Sequence, residues 1–101
     1  MSEQVSRLLR VSSYEGTTTA VFWCPGCDGP HAVRIAGPGS WDYNGDHEAP
    51  TFTPSVKVTR PPTPYCCHSF VRDGQIQFLS DCTHTLAGQT VPLGEWPEHY
   101  T

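Results

Sequence analysis

Apolar and polar positions alternate along much of this chain. In Thr51-Phe52-Thr53-Pro54-Ser55-Val56-Lys57-Val58, the residues Phe52, Val56 and Val58 fall on one side, and Thr51, Thr53, Ser55 and Lys57 on the other. A period of two is the mark of a strand with one buried face. Similar short runs, rich in Val, Thr, Phe, Tyr and Trp, recur between Gly and Pro residues. They predict strands over 7–14, 17–23, 31–36, 41–43, 51–59, 65–72, 75–80 and 89–93. Only 81–87 has room for a turn or so of helix. The expected fold is all-β and mainly antiparallel, with at most one short helix. It is a single small domain over 1–101, with its core in about 5–93 and a surface tail over 94–101.

Length sharpens this picture. A chain of 101 residues buries roughly 60–70% of its unfolded surface, so a staple beyond the apolar core would help it fold. The formal net charge of −4 argues against nucleic acid or an anionic membrane as the main partner, because both demand clustered positive charge. Met1-Ser2-Glu3-Gln4-Val5-Ser6-Arg7 lacks the apolar core of a signal peptide. The longest apolar run, Ala20-Val21-Phe22-Trp23-Cys24, is far short of the ~20 residues of a membrane helix. The expected compartment is the cytosol, where thiols stay reduced. The five cysteines, an odd number, then read as metal ligands before disulfides.

Cys24-Pro25-Gly26-Cys27 is the sharpest local motif. Two cysteines three apart around Pro-Gly form a tight knuckle that turns both sulfurs toward one ion, as in zinc ribbons. A thioredoxin-like redox motif would open a helix, but Asp28-Gly29-Pro30 follows and breaks one. A structural zinc needs four ligands. The remaining candidates are His31, Cys66, Cys67, His68, Cys82 and His84.

Strand register sorts them. Asp73-Gly74 is a two-residue hairpin signal. With those two residues as the loop, Arg72 faces Gln75, Phe70 faces Gln77, Ser69 faces Phe78 and His68 faces Leu79. One face then carries Val71, Ile76, Phe78, Cys67 and Cys82; the other carries His68, Phe70, Leu79 and Asp81. Cys67 and Cys82 are the preferred third and fourth ligands, and His84 can replace either. Cys66 and His31 are weaker choices. The plain alternative is that Cys67 and Cys82 are buried small apolar residues.

The same register sets His68 beside Asp81 on the face opposite the cysteines. A carboxylate fixes the tautomer of a neighbouring imidazole and stabilises its cation. Ser55 lies on the polar side of its strand, where a reacting hydroxyl must be. Ser55, His68 and Asp81 are therefore a candidate Ser-His-Asp set. An ordinary surface serine beside a structural ion pair is the competing account. Trp41-Asp42-Tyr43-Asn44-Gly45-Asp46 reads first as core aromatics entering an Asn-Gly turn. Its functional reading is a binding wall, with Asn44 donating to a substrate oxyanion. His47 and His99 fall in polar loops, where solvation is expected.

Taken in order, these motifs carry a resemblance. They are Phe22-Trp23-Cys24-Pro25-Gly26-Cys27, His31, Trp41 with Asn44-Gly45, Pro50-Thr51-Phe52-Thr53-Pro54-Ser55, Cys67-His68-Ser69-Phe70 with Asp73-Gly74, and Asp81-Cys82-Thr83-His84 with Ala87-Gly88-Gln89-Thr90. Over residues 20–93 the chain resembles a family of small proteins of phage and prophage genomes, many of them mislabelled as ammonia monooxygenase. Relatives of that family accompany bacterial ubiquitin-like conjugation genes and are thought to act there as serine peptidases. The resemblance implies Ser55 as nucleophile, His68 as base and Asp81 as its orienter.

Three functions compete on these readings. One is a zinc-stabilised serine hydrolase acting on a protein or ubiquitin-like substrate. Another is a non-catalytic zinc-ribbon-like module that blocks a host protein through anchors such as Trp41 and Tyr43. The last is a zinc hydrolase with an open coordination position, drawing on His68 and His84.

Overall fold

The computed structural model describes residues 2–97. Among these residues, nine strands form two antiparallel sheets. The first holds β1 (Ser2–Gln4), β2 (Leu9–Tyr14), β3 (Thr17–Cys24) and β4 (Gly29–Ala36) in that order. The second holds β5 (Asp42–Tyr43), β6 (Phe52–Thr59), β7 (Cys66–Arg72), β8 (Gln75–Phe78) and β9 (Thr90–Pro92), again in order. Each of the eight expected strands is present, with ends within about two residues of those read from the pattern. β1 was not expected; it is short and polar, so it has no alternation to read.

The sheets meet across one core because each offers one apolar face. Leu9, Ala20, Phe22 and Val33 come from the first sheet, and Phe52, Val56, Val71, Ile76 and Phe78 from the second. Phe22 and Phe52 stack across the junction with ring centroids 6.1 Å apart. A fully buried side chain of this kind is worth roughly 1.5–3 kcal/mol over its exposed state.

The Asp73-Gly74 hairpin has the expected register: Ser69 pairs with Phe78, Phe70 with Gln77, Val71 with Ile76 and Arg72 with Gln75. Both loop residues have positive φ, 50° and 76°, as the tight turn compatible with strand twist requires. β7 is thereby the central strand of its sheet, between β6 and β8.

Among the described residues there is no helix. Residues 81–87 make turns instead, because backbone bonds tie their start to β7: Thr83 N donates to Cys66 O at 2.9 Å, and Leu79 N to His68 O at 2.9 Å. The described tail departs from the surface position expected of it. Trp96 is buried, stands edge-on to Trp23 at 5.5 Å, and its indole N–H donates to Leu8 O at 3.2 Å. An isolated tryptophan carries no periodicity, so nothing in the pattern announced it. His99 lies outside the described residues. Among those described, no helix is long and apolar enough to cross a membrane.

Candidate active site and metal cluster

β7 carries two constellations, one on each face. Cys67 is buried and points into the core; His68 is half-buried and points out.

On the outer face, His68 Nε2 lies 3.0 Å from Ser55 Oγ, and His68 Nδ1 lies 3.1 Å from Asp81 Oδ2. The protons follow from the partners. A carboxylate only accepts, so Nδ1 carries the hydrogen; the neutral ring then has its lone pair on Nε2, aimed at the serine hydroxyl. The three residues come from adjacent parts of one sheet. Lys57 faces His68 across the β6–β7 ladder, so Ser55, two residues back, is its diagonal neighbour. Asp81 is the diagonal neighbour on the other flank, beyond the end of β8. The structure thus brings Ser55, His68 and Asp81 into one hydrogen-bonded row.

The backbone around Ser55 is irregular in a way that serves this row. Phe52 pairs with Val71 and Val56 pairs with Ser69, so β6 holds two more residues here than β7 opposite it. Pro54 has no N–H to give to the ladder, and a bulge of this kind re-aims side chains. The extra residues are even in number, so inward Phe52 and Val56 keep one face and Ser55 the other. Trp41 fixes the bulge from outside the strand. Its indole N–H donates to Ser55 O at 3.2 Å, while its backbone N–H donates to Arg34 O of β4 at 2.7 Å. Trp41 is therefore a strut between the first sheet and the backbone of Ser55. Its proximity to Asn44-Gly45 gave no hint of that contact.

His68 is held from behind as well. Cys82 Sγ accepts from His68 N and donates to His68 O, both at 3.2 Å. Consecutive residues thus grip His68 twice: Asp81 on the ring and Cys82 on the backbone.

Asn44 is committed to its own loop. Its amide donates to Ala49 O at 3.0 Å, and its carbonyl accepts from Asp46 N and Thr51 N at 3.1 Å each.

On the inner face, Cys24, Cys27, His31 and Cys67 bring their ligand atoms within 4.8 Å of one another. Cys24 and Cys67 sulfurs are 3.9 Å apart, and Cys27 Sγ is 3.3 Å from His31 Nε2. Tetrahedral zinc with Zn–S near 2.3 Å and Zn–N near 2.0–2.1 Å has S···S edges of about 3.8 Å and S···N edges of about 3.5 Å. The donor set and its spacing fit such an ion. The hydrogen bond from Cys67 holds the Cys24 thiol down to about 4, and Cys67 is pushed up in turn. Burial pushes Cys27 up, against the hydrogen bond it accepts from the Tyr65 hydroxyl.

His31 ranked low in the sequence reading, yet it is 5% exposed and sits in this cluster. The missed signal was register. The Cys24–Gly29 hairpin sets His31 opposite Phe22, whose face is buried.

Cys67, Cys82 and His84 form a second, overlapping group. His84 Nδ1 accepts from Leu86 N at 3.2 Å, so in the neutral ring Nε2 bears the proton and points it at Cys67 Sγ, 3.4 Å away. The ring lies against the knuckle itself: a Cβ at Gly26 would collide with it. Gly26 is required there by close approach. His68, weighed as a metal ligand, joins neither group, and Cys66 also stands outside both.

A family model described as bacterial ubiquitination-like system serine protease (BubE) matches residues 2–79, a span that holds Ser55, His68 and the four clustered ligands and stops before Asp81. No curated protein and no solved structure matches the chain. Matched over most of its length, the chain belongs to the bacterial ubiquitination-like system serine protease (BubE) family.

Proposed function

We propose that this protein is a serine peptidase or isopeptidase of ubiquitin-like conjugation systems, with Ser55 as nucleophile, His68 as general base and acid, and Asp81 as orienter. One observation carries the reading: the unbroken Ser55–His68–Asp81 hydrogen-bond row, at 3.0 and 3.1 Å. Stability does not account for that row. Asp81 is 49% exposed, and a pair so wet contributes about 0–1 kcal/mol.

The steps follow from the proton positions. Ser55 Oγ attacks the scissile carbonyl carbon as its proton passes to His68 Nε2. The imidazolium that forms is stabilised by Asp81 through Nδ1–H. Collapse of the tetrahedral intermediate breaks the C–N bond, and the leaving amine takes the proton from Nε2. Water then attacks the acyl-serine, again giving its proton to Nε2, and Ser55 leaves with a hydroxyl. The oxyanion is met by backbone N–H groups or by the second N–H of the Asn44 amide, whose first donates to Ala49 O.

Zinc is assigned to Cys24, Cys27, His31 and Cys67 as a structural ion. A closed set of four protein ligands leaves no position for a reacting water. Cys82 and His84 then serve as hydrogen-bonding supports: Cys82 on the His68 backbone, His84 on the Cys67 sulfur. All five cysteines are free, which suits a reducing cytoplasm and a protein substrate met there.

A fluorophosphonate probe tests the reading. It is expected to label Ser55, with Ser55→Ala abolishing the label while the unfolding midpoint holds. Folded wild-type protein that takes no label would overturn it.

A further inference from the structure

Beyond His68 on the same face of the second sheet lies a recess of about 200 Å³, lined by Phe70, Arg72, Asp73, Gln75, Gln77 and Thr90. Register explains its place. Phe70 and Arg72 follow His68 on the outward side of β7; Gln77 and Gln75 face them on β8, and Thr90 faces Gln77 on β9. The recess thus lies on the same face as the row that holds Ser55, His68 and Asp81, beginning two residues along β7 from His68.

Its cation is fixed and unneutralised. The Arg72 guanidinium lies over the Phe70 ring at 4.4 Å, and Nη1 donates to Gln77 Oε1 at 3.0 Å. Stacking and hydrogen bonding hold the plane of the group and leave further N–H donors. Among the described residues no carboxylate pairs with it, Asp73 included. Asp73 brings a carboxylate to the lining that is not paired with Arg72; the remaining charges of this face are placed elsewhere. Lys57 stands opposite His68, Asp81 is bonded to that imidazole, and Asp42 is on the β5 edge. A pre-organised guanidinium beside amide and hydroxyl donors is suited to a carboxylate.

Resting on the serine-peptidase reading, we infer that this recess is a specificity subsite for an acidic side chain of the substrate. Along β7 the Phe70 and Arg72 rows stand roughly 7 and 13 Å from His68, at about 3.3 Å per residue. An extended substrate lying over the strand advances at a similar rise. The acidic residue therefore falls two to four residues from the scissile bond.

Matched fluorophosphonates test this. Their arms, on the carbon or the alkoxy side of phosphorus, reach about 7–13 Å and end in a carboxylate or the corresponding amide. The readout is the ratio of Ser55 labelling rates, acid over amide. A ratio of about ten is expected for a partly exposed charge-assisted contact. It should fall toward one in Arg72→Gln, recover in part in Arg72→Lys, and fall with added salt. Unfolding midpoints confirm that each variant is folded. A ratio near one in the wild type, or a preference that survives Arg72→Gln, overturns the subsite while leaving the peptidase reading in place. Failure of an armless probe to label Ser55 overturns both.

Discussion

Cys67 and His68 are neighbours in the chain, yet they serve two assemblies with opposite physics. The inner one gathers Cys24, Cys27 and His31 from the β3–β4 hairpin onto Cys67 of the other sheet, out of water. The outer one gathers Ser55 and Asp81 around His68 within a single sheet, half in water. An ion that joins two sheets contributes to folding directly. A row of hydrogen bonds at the surface contributes little to folding and much to reactivity. The pleat of β7 keeps the two apart: alternate side chains point to opposite faces.

The comparison breaks most sharply at the metal. Structural zinc sites are worth ~10–16 kcal/mol in small domains, as much as a domain's whole stability of about 5–15 kcal/mol. Cys24→Ala and His31→Ala are therefore expected to lose the ion and the cooperative unfolding transition together. Cys82→Ala keeps the ion bound. Mass spectrometry of native protein reads zinc stoichiometry for each; full zinc in Cys24→Ala would refute the assigned ligand set.

The outer row should respond in the reverse sense. Asp81→Asn replaces a carboxylate that only accepts with an amide that can also donate to Nδ1, so the His68 tautomer is no longer fixed, and a wrong tautomer lowers serine-peptidase turnover by about 10⁴-fold. The labelling rate of Ser55 is expected to fall by about 10³–10⁴-fold, with stability changed by no more than about 1 kcal/mol. A large loss of stability with little loss of labelling would make Asp81 a structural partner only.

Trp41 sharpens the contrast, since it runs from the first sheet to the backbone of Ser55. Trp41→Phe keeps most of the apolar contact and removes one hydrogen bond to Ser55 O, worth about 1 kcal/mol. About a fivefold drop in kcat is expected, with KM nearly constant. A change confined to KM would mean that Trp41 binds substrate and does not position Ser55.

Much of this was legible in local chemistry. The Asp73-Gly74 turn fixed the β7–β8 register, and the register alone put His68 beside Asp81 and Cys67 on the other face. The alternation in 51–58 put Ser55 outward. These are short-range facts, set by turn geometry and a period of two.

Other features had no local sign. The ladder between β6 and β7 joins strands separated by a loop and a bulge, so that Ser55 meets His68 is a matter of sheet order. His31, a weaker choice on sequence, meets Cys67 only when the two sheets close on each other, and Trp96 finds its place against Trp23 and Leu8 only then. By itself the sequence determined which side chains share a face of a strand, because alternation is a property of the backbone. Which faces meet, and so which four groups come close enough to hold an ion, was decided by the tertiary structure, because packing two apolar faces together is a long-range effect of burial that no single segment encodes.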